Sequence, residues 1–208
     1  MSPNPTVFVI DDDPALRDSL RFLLESADLK AECFACAEDF QSHYDNSRPG
    51  CILLDIRMPG MSGLELQELL SKDRLAPPVI LITGHGDVQI AVRALKAGAH
   101  DFIEKPFSDQ VLLECIDGAL DRDRVQRDRM QLQIEAEACY DRLTARERQV
   151  FRLVVDGDPN KVIAAKLELS QKTVEVHRAH VMEKMEAPSF AHLVKMSVLL
   201  ESTEEARD

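Results

Sequence analysis

At 208 residues and 45% apolar composition, the chain has room for one or two domains with ordinary buried cores. No run reaches the roughly 18 uncharged apolar residues that a membrane span needs, and the polar start Met1 to Thr6 leads directly into an apolar run, so neither a membrane anchor nor a signal peptide is expected. A net charge of −12 argues against a uniformly nucleic-acid-binding surface, and five cysteines that form no even framework fit free thiols in a cytoplasmic protein.

Strand and helix signals alternate over the first 120 residues. Val7-Phe8-Val9-Ile10 is an apolar run of the right length for a fully buried strand, and it stops at Asp11-Asp12-Asp13. Asp13-Pro14 opens a helix in which Leu16, Leu20, Leu23 and Leu24 fall at helical spacing; Pro14 suits its first turn, and Asp13 is read as its cap. A strand is predicted over Lys30 to Phe34 and a helix near Ala37 to Tyr44. Cys33-x-x-Cys36 lies at that junction without a second pair to complete a zinc site, and it is read as chance spacing rather than a redox motif. Cys51-Ile52-Leu53-Leu54 then runs into Asp55, and a helix over Gly63 to Ser71 carries Leu64, Leu66, Leu69 and Leu70. Val79-Ile80-Leu81-Ile82 runs into Thr83-Gly84, followed by a helix over Val88 to Gly98. Asp101-Phe102-Ile103-Glu104 runs into Lys105-Pro106, and Ser108 caps a helix bearing Val111, Leu112, Cys115, Ile116 and Leu120. Five strands alternating with five helices imply a parallel sheet covered on both faces.

From Asp121 to Asp141 the chain is charged and holds neither Gly nor Pro, so nothing stops the preceding helix. Val125, Leu132 and Cys139 recur at sevens and allow a short coiled seam, which the charges around Arg129 weaken; a solvated helical spacer is the competing reading. Beyond Leu143 the pattern is helical throughout. Thr144-Ala145-Arg146-Glu147 is a capping-box sequence, Asp156-Gly157 ends its helix, Asn160 to Glu168 forms a second, Ser170 caps a third over Gln171 to Met185, and Ser189 to Leu200 makes a fourth. Two helices joined at Leu169-Ser170 read as helix-turn-helix. Charge divides along the same line: residues 1–126 hold 12 Lys/Arg against 22 Asp/Glu, a net of −10, whereas residues 143–198 hold 9 against 7, a net of +2. Acidity therefore belongs to the first domain.

In an open parallel sheet, ligands sit beyond the carboxyl ends of the strands. The groups at four such ends are carboxylates (Asp11, Asp12, Asp55), a hydroxyl (Thr83) and an ammonium (Lys105), and they converge on one crevice. Unpaired carboxylates would raise one another's pKa, and a hard divalent cation such as Mg²⁺ resolves the conflict. Asp55 can then act as a nucleophile toward a phosphoryl group whose equatorial oxygens face Lys105, Thr83 and backbone N–H groups.

These runs resemble a two-component receiver domain, in Asp11-Asp12, Asp55-Ile56-Arg57-Met58-Pro59-Gly60-Met61-Ser62-Gly63, Thr83-Gly84-His85-Gly86-Asp87 and Glu104-Lys105-Pro106-Phe107. The resemblance implies Asp55 as phosphoacceptor, Asp11 and Asp12 as the acidic pocket with Asp12 a direct Mg²⁺ ligand, and Asp55 and the Arg57 backbone carbonyl as further Mg²⁺ ligands. It also implies Lys105 on the phosphoryl group, and Thr83 with Phe102 as the coupled switch pair. Phe102 lacks a hydroxyl, so such a switch works by packing alone. His85 is assigned to a wall of the pocket. Residues 143–198 resemble a LuxR/NarL-type DNA-binding domain through Leu143 to Val150, Gly157, Asn160 to Ala164, Thr173 to Arg178 and Lys184-Met185, and the order of the two halves resembles the FixJ-like response regulators. The expected architecture is an α/β, flavodoxin-like receiver over 1–120 with strand order 2-1-3-4-5, a helical linker over 121–142, an all-α four-helix domain over 143–200 and an acidic tail over 201–208.

On the Gln171 to Met185 helix, Lys172, Glu175, Val176, Ala179 and Glu183 share one face. Lys161, Lys172, Thr173, Glu175, Val176, Arg178, Ala179 and Lys184 are assigned to DNA. Lysines and Arg178 neutralise phosphates, Val176 and Ala179 suit thymine methyls, and Glu175 suits a cytosine amino group. Val174, Val181 and Met185 are assigned to the core. What the resemblance implies is a transcription factor, not an enzyme. A sensor histidine kinase phosphorylates Asp55, the receiver homodimerises, and the dimer binds double-stranded promoter DNA to activate transcription, with RNA polymerase as a further partner and no membrane. Two competing readings are a phosphatase using Asp55 as nucleophile and a phosphorylation-gated module whose helical half binds protein.

Overall fold

The structure is a computed structural model that describes residues 4–73, 75–84 and 88–204. His85, Gly86 and Asp87 and the end of the acidic tail lie outside the described residues. The chain divides into two compact units, Met1–Arg127 and Asp128–Asp208.

In the first unit the elements are β1 (Thr6–Ile10), α1 (Pro14–Ser26), β2 (Lys30–Phe34), α2 (Ala37–His43), β3 (Gly50–Asp55), α3 (Gly63–Leu70), β4 (Val79–Thr83), α4 (Val88–Lys96), β5 (Asp101–Glu104) and the start of α5 (Asp109–Asp141). The strands pair in parallel, as the alternating pattern implies, and in the order β2-β1-β3-β4-β5 that the receiver resemblance implies. Successive strand residues face opposite sides of a sheet, and the core divides accordingly. Phe8, Ile10, Ile52, Leu54 and Leu81 pack on Phe40 of α2, Leu66 of α3 and Ala94 of α4. Val7, Val9, Leu53, Ile80 and Ile82 pack on Leu20 and Leu24 of α1 and on Leu112 and Ile116 of α5. Every residue of β1, β3 and β4 is buried, which is why these strands read as unbroken apolar runs. Asp13 caps α1 as expected, its side chain accepting from the N–H groups of Ala15 and Leu16.

The second unit comprises the end of α5 with α6 (Ala145–Val155), α7 (Asn160–Leu167), α8 (Gln171–Lys184) and α9 (Phe190–Glu204). Thr144 and Glu147 form the capping box of α6, and Ser170 caps α8 by accepting from the Thr173 N–H. The turn between α7 and α8 is made by Glu168 in the left-handed region, φ 57°, with the Leu169 N–H returning to the Ala164 carbonyl at 2.9 Å. Val150, Phe151 and Val154, Ile163, Val174, Val181 and Met185, and Leu193 form one core with Ala136, Cys139 and Leu143. The core assignment of Val174, Val181 and Met185 is therefore borne out.

Candidate functional site

Register brings the strand ends together: Ile10 lies beside Leu54, Asp55 beside Ile82, and Thr83 beside Glu104. The residues that follow or close these strands thus line one crevice. Asp11 and Asp55 are 1% and 7% exposed, and Thr83 is buried with them. Lys105 bridges the two acids, its Nζ donating to Asp55 Oδ1 at 2.6 Å and to Asp11 Oδ2 at 3.1 Å. The remaining oxygens are held by backbone: Arg57 N–H donates to Asp55 Oδ2 at 2.7 Å and Asp13 N–H to Asp11 Oδ1 at 2.8 Å. Asp55 is thereby oriented by two donors, one of them a cation.

Electrostatics follow from this arrangement. Burial pushes the Asp11 carboxyl above the usual range, outweighing the Asp13 N–H and Lys105, and Asp55 adds to the rise. Burial works against the Lys105 ammonium, but the two carboxylates outweigh it and hold it above the ordinary lysine value. Asp12 is exposed beside the crevice, and among the described residues no three His, Cys, Asp or Glu side chains already converge as a metal-ligand set. The donor chemistry nevertheless fits a hard divalent cation. Asp11, Asp12 and Asp55 are oxygen donors, and the two buried carboxylates share a single ammonium.

Thr83 Oγ1 donates to the Gly84 carbonyl at 2.9 Å. Phe102 lies opposite Leu81 in the register, so it shares the face of the sheet on which Thr83 sits, and its half-buried ring packs on the core cluster that includes Ala94 and Ala99. Gly63 opens α3 so close to the strand that a Cβ there would lie 2.2 Å from the Asp55 carbonyl oxygen. Cys33 and Cys36 are free, and burial raises the Cys33 thiol, the reverse of what a redox thiolate needs.

In the second unit, Lys172, Glu175, Val176 and Ala179 form an exposed face of α8, and Lys161 is exposed on α7. Val176 is 49% exposed, an apolar group left in water on a helix whose other valines are in the core. Thr173 is tied to the cap, its hydroxyl 2.8 Å from that of Ser170. Arg178 is half-buried, donating to Asn160 Oδ1 at 3.1 Å and lying 5.9 Å over the Phe190 ring. Lys184 is half-buried, and its ammonium donates to Glu147 Oε2 at 2.6 Å inside the domain.

Glu147 is the residue whose importance the sequence understated. Its Oε2 also accepts from the Thr144 N–H at 2.8 Å and the Thr144 hydroxyl at 3.0 Å, and His180 Nδ1 lies 3.6 Å from Oε1. Burial alone would raise its carboxyl, but Lys184 and Thr144 together hold it at about 2. The capping-box pattern gave the Thr144 contacts, and no sequence signal pointed across to α8.

Residues 7–117 match the family described as response regulator receiver domain, and residues 141–197 the family of bacterial regulatory proteins, luxR family. The transcriptional regulatory protein FixJ of Rhizobium meliloti is 45% identical over 193 residues, covering 93% of this chain and 95% of that protein. Nodulation protein W of Bradyrhizobium diazoefficiens is 41% identical over 199 residues, covering 96% and 88%. Among solved structures, the response regulator StyR superposes with a TM-score of 0.82 at 44% identity, covering 94% of this chain and 98% of that one. Full-length FixJ from B. japonicum gives 0.57 at 39%, covering 95% and 98%. Among the described residues no helix is long and apolar enough to cross a membrane.

Proposed function

We propose that this chain, which belongs to the two-component response regulators that join a receiver domain to a LuxR-type DNA-binding domain, is switched by phosphorylation of Asp55. In the cytoplasm a sensor histidine kinase donates the phosphoryl group, the receiver homodimerises, and the dimer binds double-stranded promoter DNA and activates transcription through RNA polymerase. The observation that carries this reading is the buried Asp55 carboxylate held between the Arg57 N–H and the Lys105 ammonium.

In the transfer, an Asp55 oxygen attacks the phosphorus of a phosphohistidine, the P–N bond breaks and the departing imidazole is protonated from solvent. The Arg57 N–H fixes one carboxylate oxygen while Lys105 moves from the other to an equatorial phosphoryl oxygen, where charge accumulates. Thr83, now turned to the Gly84 carbonyl, supplies a second donor by rotating about its side chain. Asp11, Asp12, Asp55 and the Arg57 carbonyl would hold Mg²⁺. When bound, it supplies positive charge that neutralises the transferring group. Thr83 moves on a face that it shares with Phe102, so the change is passed on by packing.

For the output, Lys161 and Lys172 take phosphates, while Glu175, Val176 and Ala179 present an acceptor and two apolar groups to base edges in the major groove. Thr173 and Arg178 are assigned to supporting contacts at the rim. One helix-turn-helix gains little affinity alone, so pairing two is the natural control. Asp55→Asn tests the scheme. Labelling by acetyl phosphate, dimer formation and the gain in promoter affinity are all expected to vanish; a gain on footprinting equal to that of the unsubstituted protein refutes it.

A further inference from the structure

The pole of the sheet away from Asp55 carries a polar cluster that the receiver motifs do not include. Asp123 and Arg127, one turn apart on α5, are both largely removed from solvent; Asp123 is 4% exposed. Arg127 Nε donates to Asp123 Oδ1 at 3.0 Å and to Oδ2 at 2.9 Å. Its Nη1 reaches the carbonyls of Asn46 and Ser47 at 2.9 and 3.3 Å, and its Nη2 those of Arg48 and Leu75 at 2.9 and 3.2 Å. One guanidinium thus gathers the loop before β3 and the loop before β4. Asp123 Oδ2 in turn accepts from the Gly50 N–H at 2.9 Å. Gly50 is the first residue of β3, and it lies so close to β1 that a Cβ there would fall 1.9 Å from the Thr6 carbonyl oxygen.

Two further facts give this cluster a consequence. The family match ends at residue 117, whereas the first compact unit runs on to Arg127. The strand held by Asp123 at Gly50 ends five residues later, at Asp55. A buried arginine with five fixed donors is a demanding arrangement, since every partner must stay in place to keep its charge solvated.

We propose that Asp123 and Arg127 form a latch that makes the first turns of the interdomain helix part of the receiver, and that β3, gripped at one end by this latch and bearing Asp55 at the other, couples the phosphorylation state to the linker. The second half of this statement rests on Asp55 being the phosphoacceptor. Arg127 is a positioning residue, since it touches neither the phosphoryl site nor DNA. The second compact unit begins directly after it.

The test uses the full chain carrying Arg127→Ala, Arg127→Lys or, as a control on the same helix, Arg129→Ala. Hydrogen exchange is followed over residues 45–55 and 117–130, together with acetyl-phosphate labelling of Asp55 and affinity for a genomic fragment selected by the wild-type protein. Leaving a buried carboxylate without its partner is strongly destabilising, so exchange in both segments is expected to quicken by roughly a hundredfold in Arg127→Ala. Arg127→Lys, which can pair with Asp123 but cannot span both loops, should lie between, and Arg129→Ala should match wild type. Labelling should stay stoichiometric while the phosphorylation-dependent gain in affinity falls. Equal exchange in Arg127→Ala and wild type overturns the latch; faster exchange with an undiminished gain overturns its role in coupling. A wild-type protein that labels fully and shows no gain counts against the functional reading, and the exchange comparison then still decides the latch.

Discussion

Replacing Glu147 by glutamine keeps the side chain's size and leaves an acceptor for Thr144, but removes the charge that faces Lys184. The carboxyl is held at about 2 against an ordinary value of 4.5, and at about 1.4 kcal/mol per pH unit that gap corresponds to about 3 kcal/mol of folding stability. Because the folded value lies below the unfolded one, this contribution is fully present above about pH 4.5 and is lost as the pH falls toward 2. Solvent reaches the Lys184 end of the pair, whose side chain is 35% exposed, so a loss of about 2 to 3 kcal/mol is expected at pH 7. For a unit of this size the second-unit melting transition should drop by on the order of 10–20 °C. At pH 3 the same relation leaves about 1.4 kcal/mol, so the penalty of Glu147→Gln should fall to less than half. The measurement is urea or calorimetric unfolding of the full chain at both pH values, with the second-unit transition read by itself. Adding Lys184→Met to Glu147→Gln should cost less than the sum of the two single changes, since removing both partners of a pair leaves no unmatched charge. A loss below about 0.5 kcal/mol at pH 7, or an equal loss at pH 3, refutes the assignment.

Lys172→Ala should lower the slope of log affinity against log salt by about 1, whereas Lys184→Ala should leave that slope unchanged and weaken the fold instead; identical slope changes would return Lys184 to the DNA face. Gly63→Ala should shift the Asp55 backbone, because the new Cβ meets its carbonyl oxygen, and acetyl-phosphate labelling should slow by on the order of a hundredfold. Wild-type labelling kinetics in that variant would show that α3 can move away without disturbing the site.

The receiver was readable in sequence because its chemistry sits at the ends of strands buried on both faces. Such strands appear as apolar runs, and the residue that breaks each run is the one that enters the crevice. Asp13 was equally legible, since a cap depends on neighbours two and three positions away. Lys184 was not. A helical wheel gives the residues that share its face, but its partner Glu147 is 37 positions distant and belongs to another helix. The Asp123 and Arg127 cluster escaped for a related reason: four of Arg127's acceptors are backbone carbonyls, which carry no residue signature at all. Thr173 likewise has a partner inside its own domain, the Ser170 hydroxyl.

The helix α8 is anchored to its domain by Val174, Val181 and Met185, which are fully buried, and by the Lys184 pairing at its end. Lys172, Glu175, Val176 and Ala179 carry none of that burden. With the outward face assigned to DNA as proposed, stability and reading preference are written in separate letters of the same helix. Substitutions on the outward face can change which operator is read while the fold keeps its strength, so the regulon of such a protein can drift by single mutations without passing through an unfolded intermediate sequence.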